Sequence, residues 1–95
     1  MALSLDDPIV VSDDVLFRAL DAEAVLLNLK TGVYFGLNTV GTRAWQLLAE
    51  HRTLGRVRDV MLDEYDVERD VLEHDLLELG RQLQDAGLAT VAAGP

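Results

Sequence analysis

Residues 28–38 have the sequence NLKTGVYFGLN, and residues 39–48 continue as TVGTRAWQLL. A polar turn containing Gly32 separates two apolar runs, and after Asn38 the apolar residues recur every three to four positions. Apolar runs on either side of a glycine-containing turn are typical of a β-hairpin, whereas the later spacing is typical of an amphipathic helix. The stretch therefore predicts a hairpin that leads directly into a helix.

The neighbouring segments predict a small sheet. Strands are expected at residues 15–20, 24–28 and 33–37, and short connections between consecutive strands require antiparallel pairing. In the first strand, alternation places Val15, Phe17 and Ala19 on one face, with Leu16, Arg18 and Leu20 on a wetter face. A three-stranded meander of this kind leaves two edges open.

Three helices are expected after the sheet. The first covers residues 40–50 behind Asn38 or Thr39, and the second covers residues 54–64 behind Thr53. The third is expected to be capped by Asp66 and to end at Ala86, before the stop signal of Gly87. Residues 88–91 are then a candidate short closing strand or extension. The apolar stripes are Val40, Ala44, Trp45, Leu47 and Leu48 in the first helix, and Val71, Leu72, Leu76, Leu79 and Leu83 in the third.

Length and charge limit the possible classes. Ninety-five residues predict a single domain, 1–95, with an ordered core at about residues 9–91 and little to bury in residues 1–8 and 92–95. The 17 acidic against 8 basic side chains give a net charge of -9, which disfavours nucleic acid as a partner. No apolar run is long enough to span a membrane and no signal-peptide pattern is present, so a cytoplasmic protein is expected.

Residues suited to catalysis do not form a known pattern. The chain has no cysteine, and His51 and His74 are too far apart for a compact metal-ligand motif. The two serines, Ser4 and Ser12, lack a nucleophile-elbow setting. The sequence predicts no enzymatic activity, no metal and no cofactor. Trp45 is expected in the core, whereas Tyr34 suits either packing or contact with a partner.

The predicted class is α+β: a three-stranded antiparallel sheet followed by three helices, similar to a winged helix-turn-helix. Such folds often bind DNA, so a winged-helix DNA-binding regulator is one alternative, although the last helix is rich in carboxylates. A small subunit or regulator that acts through an apolar helix face is another.

A group of residues along the chain forms a recognisable pattern: Leu26-Leu27-Asn28, Gly32, Tyr34-Phe35-Gly36-Leu37-Asn38, Gly41, Trp45, Asp75, Leu79, Leu83 and Gly87-Leu88. This pattern resembles that of the PqqD-like family, whose members are peptide-recognition domains in the maturation of ribosomally made peptides. Within that family the chain looks most like the stand-alone recognition proteins of lasso-peptide clusters, and less like the protein of pyrroloquinoline quinone synthesis.

The resemblance implies a non-catalytic adaptor. Such a domain binds the leader segment of a precursor peptide as an added strand beside the third strand, against the third helix. It then delivers the peptide to a separate processing enzyme, either a protease or a radical-type modifying enzyme. An open strand edge offers unpaired N–H and C=O groups for this mode of binding. Carried onto this chain, the expected partner-binding residues are Val33, Tyr34, Phe35, Gly36, Leu37, Val71, Leu72, Asp75, Leu76 and Leu79.

Overall fold

The structure is a computed structural model that describes residues 3–92. Five strands and three helices follow one another along the chain. They are β1 (Ile9–Val11), β2 (Val15–Leu20), β3 (Glu23–Asn28), β4 (Tyr34–Leu37), α1 (Thr39–His51), α2 (Leu54–Glu64), α3 (Arg69–Asp85) and β5 (Ala89–Val91).

Strands β2, β3 and β4 form an antiparallel meander with β3 in the centre. The register pairs Phe17 with Leu26 and Leu26 with Phe35, so apolar side chains align across the face that packs on the helices. Gly32 closes the β3–β4 turn with a φ of 75°, in the left-handed region that favours glycine. The predicted α+β class, with three antiparallel strands before three helices, is confirmed.

The two faces of this sheet differ in burial. The inner face carries Val15, Phe17, Ala24, Leu26, Asn28, Phe35 and Leu37. The outer face carries Leu16, Arg18, Leu20, Glu23, Val25, Leu27, Tyr34 and Gly36, and most of these are exposed. The wetter face predicted for the first strand is therefore confirmed.

A second, two-stranded sheet joins the ends of the chain. Strands β1 and β5 pair antiparallel, with Ile9 opposite Val91. The candidate closing strand after residue 88 is confirmed, but its partner β1 was not predicted, because three residues are too few to show an alternating pattern.

Helix α1 begins where the meander ends. The Asn38 side chain caps it by accepting a hydrogen bond from the backbone N–H of Gly41 at 2.7 Å. Trp45 is 6 % exposed and belongs to the core, as predicted. Val40 does not belong to the core, because it is 45 % exposed and lies outside the buried stripe of the helix.

Helix α2 has the predicted bounds and its predicted cap, Thr53. The predicted start of α3 is wrong, because Glu68 and not Asp66 occupies the N-cap position and makes no side-chain capping bond. Tyr65 and Glu68 both have extended backbone, so the chain uses the residues between α2 and α3 to turn.

The segment before β1 packs on α2 and α3. Leu3 is 7 % exposed, and the backbone N–H of Gly55 donates to the Leu5 carbonyl at 2.9 Å. A Cβ at Gly80 would lie 2.5 Å from Leu3 Cδ2, so glycine on α3 provides the space for Leu3. The expectation that residues 1–8 have little to bury is thus wrong for Leu3. No helix within residues 3–92 is long and apolar enough to cross a membrane.

Candidate functional site

Strand β4 is an open edge of the meander, and hydrogen bonding at the turn shows which of its groups face outward. The Asn28 N–H donates to the Val33 carbonyl at 2.9 Å, so this pair is of the hydrogen-bonded type. Hydrogen-bonded and non-hydrogen-bonded pairs alternate along an antiparallel ladder. Phe35 and Leu37 consequently direct their N–H and C=O groups toward β3, whereas Tyr34 and Gly36 direct theirs away from the sheet.

A groove of about 480 Å³ runs beside this edge, between β4 and α3, and residues of the first turns of α1 also line it. Its deepest side chains are Leu37, Ala44, Leu72 and Leu76, all of which are buried. Open main-chain groups therefore border an apolar surface. The groove is lined by Phe35, Gly36, Leu37, Asn38, Val40, Gly41, Ala44, Leu72, Asp75, Leu76, Glu78, Leu79 and Gln82.

Most of the residues expected to bind a partner lie together at this groove. Seven of them line it: Phe35, Gly36, Leu37, Leu72, Asp75, Leu76 and Leu79. Three do not. Tyr34 is on the outer face with 70 % exposure, Val33 is exposed at the turn, and Val71 is 49 % exposed one helical turn before Asp75 on α3.

Sequence reasoning missed the contribution of α1 and the polar end of α3. Val40, Gly41 and Ala44 line the groove because Asn38 caps α1 immediately after β4 and so places the first helical turns beside the strand. On α3, Glu78 and Gln82 follow Asp75 at intervals of three and seven residues, which is the helical spacing of one face. That spacing was visible in the sequence.

Two carboxylates give the α3 side of the groove a negative rim. Glu78 accepts a hydrogen bond from Arg81 Nη2 at 2.9 Å, and this bond lowers the pKa of Glu78. Asp75 makes no side-chain hydrogen bond or ion pair with residues 3–92. Of the two carboxylates on this rim, Asp75 is therefore the one without a cationic partner among residues 3–92, and it can interact with a cationic group of a ligand.

Asn28 connects the meander to the residues that follow α3. It is the last residue of β3 and is 4 % exposed. Its Oδ1 accepts from the N–H groups of Lys30 and Thr31 at 3.0 and 3.3 Å, and its Nδ2 donates to the Ala86 carbonyl at 3.0 Å. The β3–β4 turn is therefore attached directly to the C-terminus of α3.

Ion pairs also connect the helices. Arg58 of α2 donates to Glu73 of α3 at 2.6 Å, and Arg43 of α1 donates to Glu64 of α2 at 2.9 Å. These hydrogen bonds lower the pKa of both glutamates. Because a lowered folded-state pKa favours the ionised form, this contribution to stability is present at neutral pH and is lost as the pH falls through the lowered values.

Within residues 3–92, no three His, Asp or Glu side chains converge in a way that could hold a metal ion. The site consists of main-chain donors and acceptors, an apolar groove and an acidic rim. Such a surface is suited to holding an extended peptide.

Comparison with known proteins agrees with this geometry. The family model of Coenzyme PQQ synthesis protein D (PqqD) matches residues 23–89. The structure of TbiB1 in complex with the TbiA(beta) leader peptide is similar, with 40 % sequence identity and a TM-score of 0.80, over 88 % of this chain and 98 % of that one. Lasso peptide synthetase B1 complexed with the leader peptide has 26 % identity and a TM-score of 0.77, over 87 % of this chain and 98 % of that one.

No curated protein matches the sequence. The family model spans more than half of the chain and includes both β4 and α3, the two walls of the groove. The chain belongs to the PqqD family.

Proposed function

We propose that the protein is a non-catalytic adaptor for ribosomally made peptides. It binds the leader segment of a precursor as a strand added to β4 and delivers the precursor to a separate processing enzyme, such as a lasso-peptide leader protease. One observation carries this proposal: the outward N–H and C=O groups of Tyr34 and Gly36 border the apolar groove against α3. The similar TbiB1 and lasso peptide synthetase B1 structures, both with leader peptides, support it.

The geometry defines how an added strand would present its side chains. Residues of the peptide opposite Phe35 and Leu37 project onto the inner side of the sheet, where the groove lies. Main-chain bonds to Tyr34 and Gly36 provide affinity for any sequence, whereas the groove selects side chains. The depth of the groove at Leu72 and Leu76 favours apolar residues at these alternate positions of the leader.

The family model supports a second candidate, a chaperone for the precursor peptide of pyrroloquinoline quinone synthesis, because it describes a coenzyme PQQ synthesis protein. The 40 % identity to TbiB1 favours the lasso-peptide role. A DNA-binding role is disfavoured by the carboxylates of α3, which are Asp70, Glu73, Asp75, Glu78 and Asp85.

Removing one outward N–H tests strand addition. Tyr34→Pro is expected to weaken binding of the TbiA(beta) leader peptide about tenfold, because proline lacks the N–H that would donate to the added strand. Calorimetric titration at constant salt measures the affinity. Tyr34→Ala is the matched control, since it removes the same side chain but keeps the N–H, and a scrambled leader peptide controls for composition.

The comparison between the two variants decides the outcome. Thermal unfolding first establishes that both are folded. Equal affinities of Tyr34→Pro and Tyr34→Ala for the leader would contradict strand addition at β4. A parent protein that does not distinguish the leader from its scrambled version would contradict sequence-selective leader binding.

The second test concerns the acidic rim. We expect Asp75 to orient the leader through a basic residue, so Asp75→Ala should cost about 1 kcal/mol of binding free energy at low salt and less at high salt. Glu78→Ala is the matched control because Arg81 already engages Glu78. The same small loss in both variants, independent of salt, would show that Asp75 has no specific role in binding.

A further inference from the structure

Within residues 3–92, no feature of the fold explains why residue 36 is a glycine. Its φ is not in the left-handed region, unlike that of Gly32 or Gly87. A Cβ built on Gly36 meets no atom within 4 Å, whereas one on Gly41 or Gly80 would press against a neighbouring side chain. Glycine weakens a strand, and in a strand it often marks a position where a ligand or another backbone comes close. Gly36 is therefore better explained by a partner than by the fold of the chain itself.

The missing side chain leaves a shallow notch, open to solvent, on the outer face of the sheet, and Gly36, Leu37 and Asn38 line both this notch and the groove. The notch has a volume of about 270 Å³. Leu20, which is 55 % exposed, and the half-buried Val25 form its apolar surface, and Glu23 lies at its rim. It is lined by Leu20, Glu23, Ala24, Val25, Gly36, Leu37 and Asn38.

A strand added to β4 must place one side chain at this notch. Gly36 directs its N–H and C=O outward, so the peptide residue opposite it forms a hydrogen-bonded pair with it. Residues directly opposite each other in a ladder project their side chains to the same face. The residue opposite Gly36 thus projects onto the outer face, while its two neighbours, opposite Phe35 and Leu37, project toward the groove.

We propose that the notch is a second side-chain subsite, which takes an aromatic side chain of the bound peptide at the position between the two groove-facing residues. An aromatic ring can lie across a glycine on the neighbouring strand and cover it, and here Leu20 and Val25 extend the apolar contact. The proposal rests on the proposed function, because the occupant is part of the added strand. The protein would then contact side chains of the bound peptide on both faces of the sheet, at the groove on the inner face and at the notch on the outer face.

The experiment is selection of a displayed library of short random peptides on the full-length parent and on Gly36→Val. Valine keeps the outward N–H and suits a strand, but its side chain fills the notch. Gly36→Val should unfold at the same temperature as the parent or higher. We expect the parent to enrich peptides with an aromatic residue between two apolar positions, and Gly36→Val to enrich Gly, Ala or Ser at that central position.

Titration of the selected peptides completes the test. The peptide that binds the parent most tightly should bind Gly36→Val at least about tenfold more weakly. When the central residue of that peptide is replaced by Ala, the difference in affinity between the parent and Gly36→Val should be much smaller. Gly36→Ala should shift affinities in the same direction by a smaller factor, and it serves as the second variant.

Three outcomes would overturn one of the two proposals. Enrichment of no peptide by the parent would contradict the proposed function itself. Identical enriched profiles for the parent and Gly36→Val would contradict the notch and leave leader binding intact. A folded Gly36→Val that fails to bind even peptides with a small central residue would show that Gly36 admits backbone, not a side chain, and would also contradict the subsite.

Discussion

Asn28→Asp is expected to lower the free energy of unfolding by about 3 kcal/mol at neutral pH. One oxygen of the introduced carboxylate can still accept from Lys30 and Thr31, but the other would face the carbonyl oxygens of Ala86 and Gly87 where Nδ2 now donates. A buried charge beside two acceptors is unsatisfied and costly. Urea unfolding of the variant and the parent, followed by circular dichroism, measures the difference.

The pH dependence of this loss has a defined sign. The folded state disfavours the charged form, so the pKa of the introduced carboxyl rises above its ordinary value of about 3.9. The penalty relative to the parent is then small below the ordinary pKa, grows as the pH rises from the ordinary to the raised pKa, and is constant above the raised one. A penalty that is unchanged between acidic and neutral pH would contradict the proposed origin in burial of charge.

Asn38→Asp provides the matched control. Asn38 is the exposed N-cap of α1, and an aspartate there can accept the same hydrogen bond from Gly41. Aspartate is also favoured at the N-terminus of a helix by the helix dipole. The control variant should be as stable as the parent or slightly more stable. A large loss in both variants would indicate a general intolerance to added negative charge.

Local signals in the sequence were sufficient for the meander and the first two helices. Alternation, the glycine turn and the caps Asn38 and Thr53 act over a few residues, so they are visible without knowledge of the fold. The link from Asn28 to Ala86 spans 58 residues and has no local signature. Asp66 was a plausible cap by type, but the path of the chain between α2 and α3 determined that Glu68 takes that position.

The candidate site was predicted to a similar extent. The apolar spacing of α3 identified Leu72, Leu76 and Leu79, which line the groove. It also included Val71, which is 49 % exposed and does not line the groove, because an apolar residue beside a stripe can be buried or exposed depending on the width of the interface. The direction of each N–H on β4 depends on register, which became evident only from the bond between Asn28 and Val33.

The most demanding consequence of the adaptor proposal concerns reaction rates. Adding the protein to the processing enzyme is expected to accelerate cleavage or modification of a leader-bearing precursor by about 10²-fold at low substrate concentration. The physical reason is that tethering raises the effective concentration of the precursor near the enzyme toward the millimolar range, without any new contact to the reacting bond. The ratio of the rates with and without the protein should therefore fall toward one as the substrate concentration increases. Initial rates over a substrate series, with and without the protein, measure it.

Two controls separate tethering from other effects. A precursor lacking its leader should gain almost nothing from the protein, and Tyr34→Pro should accelerate the full precursor less than Tyr34→Ala does, because only the first variant loses the outward N–H of β4. Equal acceleration of leader-bearing and leaderless precursors would contradict delivery through the leader. Turnover of the precursor by this chain without any enzyme would contradict a non-catalytic role and would make the groove between β4 and α3 a candidate reaction site.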